Sequence, residues 1–180
     1  MRAVVVYESM FGNTHRVADA IGAGLTAIFD VSVMPVTQAD PAQVKDADLI
    51  VVGGPTHVHG MTRAATREAA AKKAADPASA TLLEPDAPRQ DLRSWLDALG
   101  KSKLHGKAAA FDTRLSGPSA VTGRASKRVG KALRHQGYEL IAEPESFLVT
   151  KEDALGVGEA DRARTWGAML AKSMSTDRGR

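Results

Sequence analysis

Ser9, Met10, Phe11, Gly12, Asn13 and Thr14 put two hydroxyls, an amide and a glycine into one short loop after Glu8. Hydroxyl and amide groups donate hydrogen bonds. A glycine lets the chain turn tightly and lets backbone approach a ligand. Successive N–H groups ahead of a helix form a concave anion site at the positive end of the helix dipole. The chemistry written here is the holding of a phosphate by neutral donors, since no lysine or arginine lies in the loop.

Two further loops carry reactive types. Gly53-Gly54-Pro55-Thr56-His57-Val58-His59-Gly60-Met61 contains two histidines. His57 and His59 suit covering a ligand, bonding to its carbonyls or donating a proton, and equally suit exposure to water. No acid or third histidine completes a metal set around them, so no metal is expected. Asp112, Thr113, Arg114 and Gly117 form a third polar stretch. Asp112 and Arg114 read either as ligand contacts or as a helix cap and a surface ion pair. Glu8 stands alone, without the paired acid a magnesium site would need. The chain has no Walker loop and no nucleophile elbow, and Gly22-Ala23-Gly24 falls inside a helical pattern instead of forming a dinucleotide turn.

The elements that must position these loops are legible as apolar runs. Residues 3–7, 31–36, 49–53, 107–112 and 139–149 read as strands, the last interrupted by Pro144, which places it at a sheet edge or breaks it. Helices are expected over 13–28, 62–75, 91–99, 120–135 and 160–172, with a shorter turn opened by Asp40 as cap and Pro41 at its first position. Trp95 and Trp166 fall on the apolar stripes of their helices and read as core. In the helix over 120–135, Val121, Ala125, Val129 and Leu133 are expected to face inward, and Arg124, Lys127, Arg128, Lys131 and Arg134 outward as a solvated or partner-docking face. Strands alternating with helices give an α/β fold with a parallel sheet, right-handed crossovers and helices on both faces. With strand order 2-1-3-4-5, the loops after strands one, three and four meet beyond the carboxyl ends, where such sheets bind ligands.

Ser9-Met10-Phe11-Gly12-Asn13-Thr14 resembles the FMN phosphate loop of flavodoxins, usually Ser/Thr-x-Thr-Gly-Asn-Thr. Gly53-Gly54-Pro55-Thr56 with Gly60-Met61 resembles the second flavin loop, in the form found in flavodoxin-like NAD(P)H:quinone oxidoreductases. Phe111-Asp112-Thr113-Arg114 sits where the family places its third. The resemblance implies a flavodoxin-like three-layer sandwich with a five-stranded sheet. It also implies FMN as cofactor, held at its phosphate by residues 9–14, lined along the ring by Pro55, Thr56, His57, Val58, His59, Gly60 and Met61, and bordered by Asp112, Thr113, Arg114 and Gly117. Phe11 stands where the family usually has a hydroxyl, as in the loops of quinone reductases. Neither of the first two loops contains tryptophan or tyrosine. A single terminal phosphate suits the uncharged first loop better than a triphosphate with magnesium.

The whole chain sets outer bounds. Its 180 residues suffice for one domain with a real core. We expect that domain over 1–172, with an exposed insertion or lid at about 76–90, where Pro77, Pro85 and Pro88 cluster, and a flexible tail over 173–180. The net charge is +3, a modest basic excess, whereas typical electron-transfer flavodoxins are acidic. There is no cysteine, which excludes disulfides, thiolate catalysis and iron–sulfur clusters. No run approaches membrane-spanning length, and a cytoplasmic location is expected. The function expected is that of an FMN-binding redox protein carrying electrons to a partner protein or a small quinone-like acceptor, with no nucleic-acid partner. The alternatives are an FMN-dependent NAD(P)H:quinone oxidoreductase and a flavin-free module of the same fold that binds partners.

Overall fold

A computed structural model describes residues 1–44, 46–57, 60–75, 82–89, 91–101 and 106–177. The strands are β1 (Arg2–Tyr7), β2 (Asp30–Pro35), β3 (Leu49–Pro55), β4 (Lys107–Leu115), β5 (Glu139–Leu140) and β6 (Glu145–Val149). The helices are α1 (Asn13–Leu25), α2 (Pro41–Val44), α3 (Ala64–Ala75), α4 (Leu92–Lys101), α5 (Ser119–Thr122), α6 (Ala125–His135) and α7 (Glu159–Asp177). All strand pairs are parallel, in the order β2-β1-β3-β4-β5, with β6 also on β4. This is the expected order, and Pro144 divides the last strand into β5 and β6, both at the β4 edge.

The unbroken apolar runs arise because the sheet is covered on both faces. Alternate residues serve opposite layers. Ala3, Val5, Tyr7, Leu49, Val51 and Phe111 face α1 and α7, whereas Val4, Val6, Ile50, Val52, Ala108 and Ala110 face α4 and α6. In the first layer Phe111, Phe147 and Trp166 form a chain of edge-on rings with centroids 6.4 and 6.1 Å apart. In the second, Trp95 is buried and its Nε1–H donates to the Ala39 carbonyl at 2.6 Å.

Helices α1 and α7 meet backbone to backbone. A methyl group added at Gly24 would run into the Arg164 carbonyl and lie 2.7 Å from Ala168 N, and one at Gly167 would run into the Ile21 carbonyl. That explains glycine inside α1 without any role in dinucleotide binding. α2 opens as read from sequence, with the Ala42 N–H donating to Asp40 Oδ1 at 2.8 Å.

Four expectations are corrected. The helix over 120–135 is two helices, because Gly123 adopts φ 77° and breaks the path. Val121 is therefore exposed, not inward. Arg124 turns in, donating to Ser146 Oγ at 3.0 Å and to the Pro144 carbonyl, so it is not on the outer face. The tail expected from 173 is helical to Asp177, because Met174 is buried in the α1–α7 layer and extends the stripe. The described part of the insertion, 82–89, touches the first loop: the Glu84 N–H donates to the Met10 carbonyl at 2.8 Å, and Ala87 is buried against Met10 and Ala70. Among the described residues no helix is long and apolar enough to cross a membrane, and no cluster of metal-ligating side chains occurs.

Candidate functional site

β1 delivers the first loop to the carboxyl edge of the sheet. The Glu8 N–H still pairs with the Gly53 carbonyl at 3.0 Å, and the chain then turns. Gly12 makes the turn possible by adopting φ 84° and ψ −13°, a left-handed conformation that costs any residue with a Cβ. Its N–H donates to Ser9 Oγ at 3.1 Å, which closes the loop on itself. α1 then starts at Asn13 with no side-chain cap on its first N–H groups and no acid in its first turn. First-turn N–H groups have no intrahelical partner, so this end presents donors and positive potential. The nearest carboxylate comes from Glu84, whose Oε1 bonds His15 Nδ1 at 2.8 Å. His15 also lies 3.5 Å from Asp19 and stacks on Tyr7.

The other two loops close around this helix start. Thr14 Oγ1 and Thr113 Oγ1 share a buried hydrogen bond of 2.7 Å, which ties the first loop to the third. Thr56 Oγ1 accepts the Ala125 N–H at 2.8 Å, and Asp112 Oδ2 accepts the Ser126 N–H at 2.7 Å. Two side chains from strand ends thus cap α6, which has no cap of its own. His57 forms a tight backbone pair with Gly60, N–H to carbonyl at 2.8 and 3.0 Å. Burial pushes the His57 imidazole below its ordinary pKa, opposed by the charge of Asp153, so the ring is neutral at pH 7.

Between these walls lies a cavity of about 390 Å³, within the range of small-molecule sites. Met10, Phe11, Asn13, Thr14, Pro55, Thr56, His57, Thr113 and Arg114 line it, all of them anticipated from sequence. α3 adds Thr66, Ala69 and Ala70, and Leu115, Val149 and Asp153 complete the wall. Sequence reading missed Thr66, Ala69, Ala70, Val149 and Asp153. Asp153 had one local signal, a polar loop directly after a strand; its backbone carbonyl accepts from Asn13 Nδ2 at 2.7 Å, leaving the second amide hydrogen for a ligand.

Other anticipated residues lie elsewhere. Ser9 is fully buried, and its Oγ accepts the Gly12 N–H. Gly12 shapes the loop and is not part of the cavity lining. Gly60 is buried against the Arg128 guanidinium, and Met61 packs into the α4–α6 layer. Asp112 is fully buried beneath α6, whose start it caps. Its carboxyl is raised above the usual range by burial, against hydrogen bonds from Ser126 and Ser146. Gly117 is exposed, its carbonyl held by Arg114 Nη1 at 2.8 Å. Val58 and His59 lie outside the described residues.

The cavity fits FMN in kind. One end has a helix start free of acids on its own first turn, suited to a phosphate. The rest has the apolar faces of Met10, Phe11, Pro55, Ala69, Ala70 and Leu115, suited to a flat ring. A flavodoxin from the domain Archaea superposes with TM-score 0.65 at 21% identity, over 97% of this chain and 99% of that one. Oxidised Flavodoxin 1 from Bacillus cereus does so with TM-score 0.66 at 20% identity, over 96% and 98%. A flavodoxin, WrbA-like protein from Agrobacterium tumefaciens gives 0.60 at 19%, over 95% of each chain. No curated protein sequence matches. The family model described as Flavodoxin matches residues 5–166: the chain belongs to the flavodoxin family, whose cofactor is FMN.

Proposed function

We propose that this chain binds FMN in the 390 Å³ cavity and carries electrons between redox partners. The observation that supports it most is the convergence of the α1 start with the ends of β3 and β4 on one apolar cavity, tied by the Thr14–Thr113 bond of 2.7 Å. FMN, when bound, supplies reversible one- and two-electron chemistry. The residues supply the rest. N–H groups of the loop and first turn of α1, with the second amide hydrogen of Asn13, hold the phosphate. Met10, Phe11 and Pro55 exclude water from the ring. Thr56 and Thr113 fix the loop spacing through their bonds to α6 and Thr14.

Titrating the purified chain with FMN tests this. We expect flavin fluorescence to be quenched at one equivalent, and the loaded chain to be reduced by dithionite and reoxidised by a one-electron acceptor without releasing flavin. Absence of quenching sinks the proposal and leaves the flavin-free module.

His57 favours a second reading, an NAD(P)H:quinone oxidoreductase. The His57 ring lies in the cavity wall, where, once it has taken up a proton, it can pass that proton to a two-electron acceptor, and its lowered pKa makes the protonated ring the stronger acid. Sustained NADPH oxidation in the presence of a quinone, lost in His57→Phe, would select it.

A further inference from the structure

Residues 113–138 contain no aspartate or glutamate, yet Arg114, Arg124, Lys127, Arg128, Lys131 and Arg134 all fall there. The structure sorts them into two groups. Arg114 donates from Nη1 to the Leu115 and Gly117 carbonyls and to Thr122 Oγ1, and Arg124 donates to Ser146 Oγ and the Pro144 carbonyl. Lys127, Arg128, Lys131 and Arg134 are all exposed on α6, and among the described residues none of them makes an ion pair.

This arrangement is unfavourable for the isolated chain. Lys127 and Lys131 are spaced i,i+4, and Arg128 with Lys131 and Lys131 with Arg134 are spaced i,i+3, where like charges repel. Lys127 and Arg128 also sit near the start of α6, the positive end of its dipole. Solubility alone needs no such segregation, because mixed charges serve it as well.

The stripe is also tied to the cavity. The first N–H of α6 is held by Thr56, which lines the cavity. The Arg128 guanidinium lies against Gly60, the backbone partner of His57. We infer that the exposed α6 face, with Lys127, Arg128, Lys131 and Arg134, is the docking surface for a redox partner protein with an acidic patch, seated beside the cavity wall formed by Pro55, Thr56 and His57. This rests on the FMN reading for the word redox; the acidic character of the partner rests on the surface alone. Complementary charge brings such partners together quickly and in one orientation, and salt weakens the attraction.

The test uses the full chain with and without FMN. Without FMN, a glutamate homopeptide should bind with an affinity that falls as salt rises. It should bind at least about tenfold more weakly to the Lys127→Glu/Arg128→Glu/Lys131→Glu/Arg134→Glu variant. The corresponding glutamine variant, which removes charge without reversing it, should lose less and covers the case in which the glutamate variant does not fold. With FMN, the reduced chain should pass one electron to hexacyanoferrate(III), giving hexacyanoferrate(II), more slowly as salt rises. Transfer to the cationic acceptor tris(phenanthroline)cobalt(III) should show the opposite trend, and the glutamate variant should exchange the two. Peptide binding unchanged in the folded variants overturns the inference, as does tighter binding of duplex DNA than of the peptide. A chain that binds the peptide but never FMN retains the surface and refutes the redox reading.

Discussion

Thr14 and Thr113 stand 99 residues apart in sequence and share one buried hydrogen bond of 2.7 Å between their hydroxyls. It joins the start of α1 to the end of β4, and so holds two walls of the cavity at a set spacing. Removing one hydroxyl leaves the other buried without its partner. Thr14→Val and Thr113→Val should each cost about 1–2 kcal/mol. The double variant should cost less than the sum, because neither orphan remains. Urea denaturation of the four proteins measures the cycle; strict additivity would show that the pair is not coupled.

Glu8 is fully buried at the end of β1, where it accepts from the Thr62 hydroxyl and, at 2.9 Å, from the Leu92 N–H that opens α4. Burial raises its pKa above the ordinary carboxylate value of 4.5, against those two bonds. A raised folded pKa means that the folded state keeps its proton longer than the unfolded state. The stability this contributes is complete below pH 4.5 and is lost as pH rises through the folded value. Glu8→Gln removes the titration while its amide oxygen still accepts the Leu92 N–H and its amide nitrogen can donate to the Thr62 hydroxyl in turn. Wild type should therefore lose ground to the variant by about 1.4 kcal/mol per pH unit across that window. Urea midpoints between acid and neutral pH check it, and parallel curves for the two proteins would refute it.

His57 shifts the other way. Its folded pKa is depressed by burial, so the unfolded chain takes up the proton first. The stability this contributes is present above the ordinary imidazole value of 6.5 and is lost as pH falls through the folded value. His57→Gln should flatten the decline below that point while leaving stability at pH 8 within about 1 kcal/mol. Thermal midpoints over the acid range test this, and a decline as steep in the variant as in wild type would place its origin elsewhere.

Gly167→Ala should destabilise the fold by at least about 1–3 kcal/mol, since the added methyl meets the Ile21 carbonyl and one helix must move. Gly158→Ala provides the contrast. There nothing lies within 4 Å of an added methyl, and the cost comes only from φ 77°. Guanidinium denaturation ranks the two; Gly158→Ala as the more harmful would contradict the close helix approach.

The layered sheet was legible because β1, β3 and most of β4 are buried on both faces and must be apolar throughout. The cavity was legible only where a loop follows a strand directly. α3 escaped notice as a wall because its cavity face is Thr66, Ala69 and Ala70, small residues that form no strong apolar stripe. Asp112 and Thr113 looked equivalent as neighbours, but a strand sends adjacent side chains to opposite faces. Thr113 reaches the cavity and Asp112 goes beneath α6. Ser9 looked like a cavity residue because a sequence does not show that the turn at Gly12 buries it behind the loop. Gly123 breaks α5 from α6, but the restart at Ala125 is capped by Thr56 and Asp112, which local propensity does not register.

The close seat of α7 on α1 has an implication for how the protein is made. The helix whose first turn walls the cavity begins at Asn13, but the element that locks it in place begins only at Glu159. During synthesis the first loop leaves the ribosome well before α7, and it waits for every element between them before its helix is clamped. The loop is therefore complete as a site only after α7 has formed, and a chain stalled before α7 carries the loop without the helix that clamps it.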